Sequence, residues 1–131
     1  MIAIDTNIVV RIVANDEAEQ VGRASAALAK GNIYLSLTVC LEAAWVLGSI
    51  YKKSRAAIAD GLTAFAGIPT ITIENPEALA TALDWYRQGL DFADALHLAV
   101  ATDLGCTSML SFDNHFVKSA AKLSTIPVIE P

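Results

Sequence analysis

Residues 2–7, Ile2-Ala3-Ile4-Asp5-Thr6-Asn7, set the reading of the whole chain. Ile2 to Asp5 is a short apolar run ending in a carboxylate, the pattern of a buried strand. Asp5, Thr6 and Asn7 are all good helix caps, so a helix over Thr6 to Val13 is expected next. Working outward, the alternation repeats. Asp16 to Lys30 reads as a helix, with Glu19 at capping-box spacing from Asp16 and Gly31-Asn32 as its stop. Ile33 to Ser36 is a second strand. Thr38 is a plausible cap for a helix to about Tyr51, with Lys52 and Lys53 suited to its negative end. Ser54 opens another helix through about Phe65. Thr70 to Ile73 is β-branched and alternating, hence a strand.

Asn75-Pro76 places a cap before a proline at the first helical position. The helix that follows carries Leu79, Ala82, Leu83 and Tyr86 at i, i+3, i+4, i+7, and Gly89 ends it. Asp91 to Leu104 is the next helix, closed by Gly105. Thr107 to Phe112 is a strand, Asp113-Asn114 a turn, Phe116 to Leu123 a helix, and Ile126 to Ile129 a last strand. No two successive strands share a hairpin turn. The expectation is an α/β fold, one domain over residues 1–131, with a central, mostly parallel sheet of 4–5 strands.

Composition narrows the function classes. A hydrophobic fraction of 54% among 131 residues is ample for a core and excludes a disordered chain. No apolar run approaches the ~20 residues that span a bilayer, and a carboxylate at residue 5 does not suit a secretory signal. No membrane role is expected. Cys40 and Cys106 show neither metal-ligand spacing nor a disulfide framework, so buried thiols in a reducing cytoplasm are expected. Nine Lys and Arg against fourteen Asp and Glu give a formal charge of −5. That is a poor basis for general binding to nucleic acid and a better one for cations, whether metal ions or a basic partner.

The acids therefore matter most. Asp5 ends the first strand and Asp113 follows the fourth. Asp91 and Asp94 open the helix before that strand, and Glu42 lies in the helix after the second. In parallel sheets ligands bind beyond the carboxyl ends of the strands, where these acids can converge. Each has an ordinary explanation. Asp5 and Asp91 can be caps, Asp113 a turn residue, and Asp94 can face the positive end of a helix dipole. Glu42 fits that account least. Its same-face neighbours are Thr38, Val39, Trp45 and Val46, and Val39 to Gly48 holds no other charge. If buried there, it needs a cation or a raised pKa; otherwise it snorkels to solvent. Grouped carboxylates without a histidine or cysteine cluster make an all-oxygen site, which favours Mg²⁺ or Mn²⁺ over zinc. Such a site suits phosphodiester hydrolysis.

These residues together resemble the PIN-domain nucleases, and within them the VapC-type toxins of toxin–antitoxin pairs, over essentially the whole chain. Ile4-Asp5-Thr6-Asn7, Ser36 to Glu42 with Trp45-Val46-Leu47, Asp91 to Ala99, and Ser111-Phe112-Asp113 with Phe116 stand in the order of that family's four motifs. The resemblance implies a three-layer α/β/α sandwich, often dimeric. It also implies a metal-dependent endoribonuclease inhibited by a small antitoxin. Asp5, Glu42, Asp94 and Asp113 match the acidic quartet, and Asp91 an additional acid. Thr6, Asn7 and Ser111 match polar positions that can hydrogen-bond a carboxylate or a bound water. Asp113-Asn114-His115 lacks a further acid that some members carry.

Other residues weigh less. His97 is expected to pack or support Asp94, and His115 to lie in a surface loop. Trp45, Trp85 and Tyr86 suit core or interface. Lys52, Lys53 and Arg55, with Arg11, Lys118 and Lys122, are candidates to touch RNA phosphate. Two alternative functions stand beside the nuclease: a PIN-like binding module without catalysis, and a Mg²⁺-dependent phosphatase of another α/β family. The phosphatase pattern needs an acid two residues after Asp5, where this chain has Asn7.

Overall fold

All five expected strands and all seven expected helices form in the computed structural model, which describes residues 1–131. They divide between two compact units, 1–75 and 76–131.

The first unit holds β1 (Ile2–Ala3), α1 (Thr6–Ala14), α2 (Ala18–Ala29), β2 (Ile33–Leu35), α3 (Leu37–Ser49), α4 (Arg55–Ala66) and β3 (Ile71–Ile73). The strand order is β1-β2-β3, all parallel, with Ile2 opposite Ile33 and Leu35 opposite Ile73. Ile33 and Leu35 of the middle strand are fully buried, with Val9, Cys40, Leu47 and Phe65 in the same core. β1 is an edge strand, and Ile2 is exposed rather than buried as expected. α1 and α4 pack at Gly61, where an added Cβ would stand 2.4 Å from Val13 Cγ1.

Three expectations about helix ends fail. α3 is capped by Ser36, whose hydroxyl accepts from the Val39 N–H at 3.2 Å, and not by Thr38. The Asp16–Glu19 capping box does not form. Glu17 occupies the cap of α2, while Asp16 pairs with Arg11 at 3.4 Å and Glu19 with Arg23 at 3.5 Å. Lys52 and Lys53 lie beyond α3, whose last turn has no basic residue; Lys52 takes a left-handed φ of 56° as the chain turns away.

The second unit holds α5 (Pro76–Arg87), α6 (Phe92–Asp103), β4 (Met109–Leu110), α7 (Asn114–Ala120) and β5 (Val128–Ile129). Leu79, Ala82, Leu83 and Tyr86 are all buried, as their spacing predicts. Tyr86 meets Phe92 edge to face, with ring centroids 5.5 Å apart, across the turn made by Gly89 at φ 114°. β4 pairs with β5 in parallel, Met109 opposite Val128. Trp85 is core, whereas Trp45 is 62% exposed. Cys40 is buried, but Cys106 is exposed, because it follows Gly105 in the left-handed turn closing α6. No helix is long and apolar enough to cross a membrane.

Candidate functional site

The acids of the first unit gather at the start of α1. Asp5 is the N-cap, and its Oδ1 accepts the Asn7 N–H at 2.7 Å. Thr6 is the one buried polar side chain in the protein. Its hydroxyl donates to Glu42 Oε1 on α3, thirty-six residues away. Glu42 itself is exposed, so of the two expected outcomes, burial against a cation and escape to solvent, it takes the second. Cys40, Ala43, Ala44 and Leu47 form the core face of α3, and residue 42 falls outside it. A neutral hydroxyl therefore meets this carboxylate, and the uncharged stretch around it reflects core packing of its neighbours.

Glu74 escaped the sequence reading. It follows β3 as Asp5 follows β1, which was the available signal. Its Oε1 accepts the Leu37 N–H at 3.0 Å, tying β3 to the start of the helix that carries Glu42. Burial and the Glu74 charge together push the Tyr34 phenol up. Arg11 is spoken for within this unit. Its guanidinium donates to Gln20 at 2.6 Å and to Tyr51 at 2.7 Å, and its pKa is raised chiefly by the Tyr51 hydrogen bond. Lys52, Lys53 and Arg55 are exposed.

The acids of the second unit are arranged differently. Asp91 caps α6, and its Oδ2 accepts the Asp94 N–H at 3.1 Å. Asp113 caps α7, so this helix begins at Asn114 rather than at Phe116. Its Oδ1 accepts from His115 at 3.0 Å and Phe116 at 3.2 Å. Ser111 Oγ accepts the Asp113 N–H at 3.0 Å and fixes the approach to that cap. Asp94 sits half-buried in the first turn of α6. Burial raises its pKa most, then the charges of Asp91 and Asp113; His97 and His115 pull it down. Both histidines are exposed, His115 inside α7 rather than in a loop.

The cap reading and the chemical reading are thus compatible. Asp5, Glu42, Asp91 and Asp113 each place their hydrogen bonds on one carboxylate oxygen, leaving the other to meet a ligand. In neither unit do three carboxylate, imidazole or thiolate groups already close around one point. The donor set still fits a hard divalent cation: every candidate ligand is a carboxylate oxygen, and Asp94 is held among like charges that such an ion would neutralise.

Parallel strands with acids at strand ends and helix starts define an α/β protein whose carboxylates stand at those positions in each unit. Residues 2–122 match the family model of the PIN domain, and the chain belongs to that family, the nuclease family its motifs resemble. None of the curated proteins compared matches the chain. Among solved structures, it is similar to VapC20 of Mycobacterium tuberculosis, described as a sarcin–ricin loop cleaving toxin. The two are 19% identical, with 97% of this chain and 99% of that one covered and a TM-score of 0.44.

Proposed function

We propose that the protein is an endoribonuclease that hydrolyses RNA phosphodiester bonds with Mg²⁺ or Mn²⁺, acting as the toxin of a toxin–antitoxin pair. The observation that carries this reading is Asp94, held half-buried between the charges of Asp91 and Asp113 in a PIN-domain chain. Asp5, Asp94 and Asp113 would hold the cation, with Glu42 directly or through water. When bound, the ion supplies positive charge for the phosphodiester and lowers the pKa of a water.

The chain's own residues position these ligands. The Asn7 N–H fixes one oxygen of Asp5, and the Thr6 hydroxyl fixes one of Glu42. Asp91 secures the first turn of α6 and so the backbone of Asp94. Ser111 secures the backbone of Asp113. Exposed Lys52, Lys53 and Arg55 would guide the RNA backbone toward an otherwise acidic surface.

The partners that follow are an RNA substrate, a second copy of the chain, and a cognate antitoxin. An antitoxin arginine pairing with two carboxylate oxygens would exclude both cation and substrate. The decisive experiment incubates the purified chain with RNA in Mg²⁺, Mn²⁺ or EDTA, beside Asp5→Asn. Cleavage that needs the metal and Asp5, leaving 5′-phosphate ends, is expected. Cleavage unchanged in EDTA, or 2′,3′-cyclic phosphate ends, would refute the reading; an intact RNA in every arm would favour the non-catalytic module.

A further inference from the structure

We infer that a cleft beside α7 is a subsite for a phosphate of the RNA strand, distinct from the reacting one. The inference rests on the nuclease reading above. The cleft has a volume of about 180 Å³ and is lined by Gln88, Leu90, His115, Ser119, Lys122 and Leu123, with Gly89 at the turn after α5.

Its chemistry is the reverse of the chain's. The protein carries a formal charge of −5, yet no carboxylate lines this cleft. The groups that face a ligand there are donors: the Lys122 ammonium, the Ser119 hydroxyl and the His115 imidazole. Asp84 stands next to Gln88 and is engaged by it, the amide Nε2 donating to Oδ2 at 3.0 Å. An ammonium beside a hydroxyl in a concave, acid-free pocket recognises an anion with several acceptor oxygens. A phosphodiester supplies them.

The position ties the cleft to the acids. His115, Ser119 and Lys122 follow i, i+4, i+7 spacing, and the turn continues past α7, with the Lys122 N–H donating to the Ser119 carbonyl at 3.4 Å. Asp113 caps the same helix, two residues before His115, and its Oδ1 accepts the His115 N–H at 3.0 Å. The donor row therefore begins beside the acids of this unit and leads away from them over roughly 10 Å of helix rise. A strand with one phosphate at the acids would lay a neighbouring phosphate along this row. Lys118, although on α7, does not line the cleft.

The test uses the full chain and two readouts. In cleavage assays on a single-stranded RNA, Lys122→Ala should raise KM roughly tenfold, the effect of one lost charged hydrogen bond, with kcat unchanged. The slope of log affinity against log salt should flatten by ~0.7, the share of one phosphate contact on a single strand. Lys122→Arg should restore both, and Lys30→Ala, which removes an exposed charge that does not line the cleft, should change neither. Separately, inorganic phosphate titrated into labelled protein should shift the amide resonances of Ser119 and Lys122, and Lys122→Ala should abolish the shifts. Cleavage by Lys122→Ala with wild-type KM and salt slope would overturn the subsite and leave the nuclease reading intact. Phosphate-induced shifts at Ser119 and Lys122 in a chain that cleaves no RNA would overturn the nuclease reading and leave an anion site. Wild-type spectra unmoved by phosphate would overturn the subsite.

Discussion

The two units differ in how one of their acids is held. In the first, each candidate acid has a neutral donor of its own: Asp5 the Asn7 amide, Glu42 the buried Thr6 hydroxyl. In the second, Asp91 and Asp113 also accept backbone amides, but Asp94 feels both of their charges, and burial and repulsion together raise its pKa. The first arrangement is complete without a ligand. The second is improved by any cation that enters. Acids of one motif set can therefore be divided into those fixed by the chain and those waiting for charge.

The largest effect expected from breaking this division is on cleavage. Asp94→Asn removes the acid most in need of a cation and should lower the rate on the order of 10²–10³-fold, the scale of losing one electrostatic stabiliser of a transition state. Single-turnover assays with excess enzyme would measure it. An equal rate would remove Asp94 from the site.

Thr6→Val comes next. It keeps the side-chain shape, deletes the donor, and frees the carboxylate of Glu42 to turn. A loss of about 10- to 100-fold in activity is expected, typical of a group that orients a metal-binding carboxylate. Thr6→Ser should keep most activity. A cycle with Glu42→Gln should show strong coupling; additivity would mean that the two residues act independently.

Stability should respond with opposite signs in the two units. Thr6→Val should cost about 1 kcal/mol, as a lost hydrogen bond does. Asp94→Asn should stabilise the metal-free protein at neutral pH. The sign follows from linkage. Asp94 keeps its proton to higher pH folded than unfolded, so its contribution is fully present below the ordinary aspartate range and is lost as pH rises through the folded value. The Asn variant should lack that fall. Mg²⁺ or Mn²⁺ should raise the melting temperature of the wild type and do so less in the variant. Melting curves across pH, with and without metal, test all three statements.

The smallest effect concerns the thiols. Burial pushes Cys40 up to about 12, whereas Cys106 is exposed. One thiol per folded chain should react with a disulfide reagent, and two after unfolding. Stability should fall between about pH 9 and 12, where the unfolded thiol ionises and the folded one does not.

Much of this architecture was legible because its punctuation is strong. Gly31-Asn32, Asn75-Pro76, Gly89 and Gly105 mark boundaries that few residue types tolerate, and all three glycines take positive φ. The failures have separate causes. Ser36 and Thr38 are both hydroxyl caps, and the extended backbone at Ser36 decides between them. Asp16 pairs with Arg11 across the link from α1 to α2, a contact that capping-box spacing does not reveal. For Glu42, the absence of neighbouring charge left burial and exposure both open. The angular positions of Cys40, Ala43, Ala44 and Leu47 already placed it off the core face. The acids themselves were read as either caps or ligands, when a carboxylate has two oxygens and can be both.

Gly61 gives the fold a practical limit. Helical glycines are the usual targets for thermostabilising replacement by alanine, which gains up to about 1 kcal/mol where space permits. Gly22, in the exposed part of α2, meets nothing within 4 Å and is open to that change. Gly61 is not, since its new methyl would strike Val13 and press on the helix that Asp5 caps and Thr6 begins. An engineer who hardens this protein at its helical glycines would gain at Gly22 and disturb the start of α1 at Gly61.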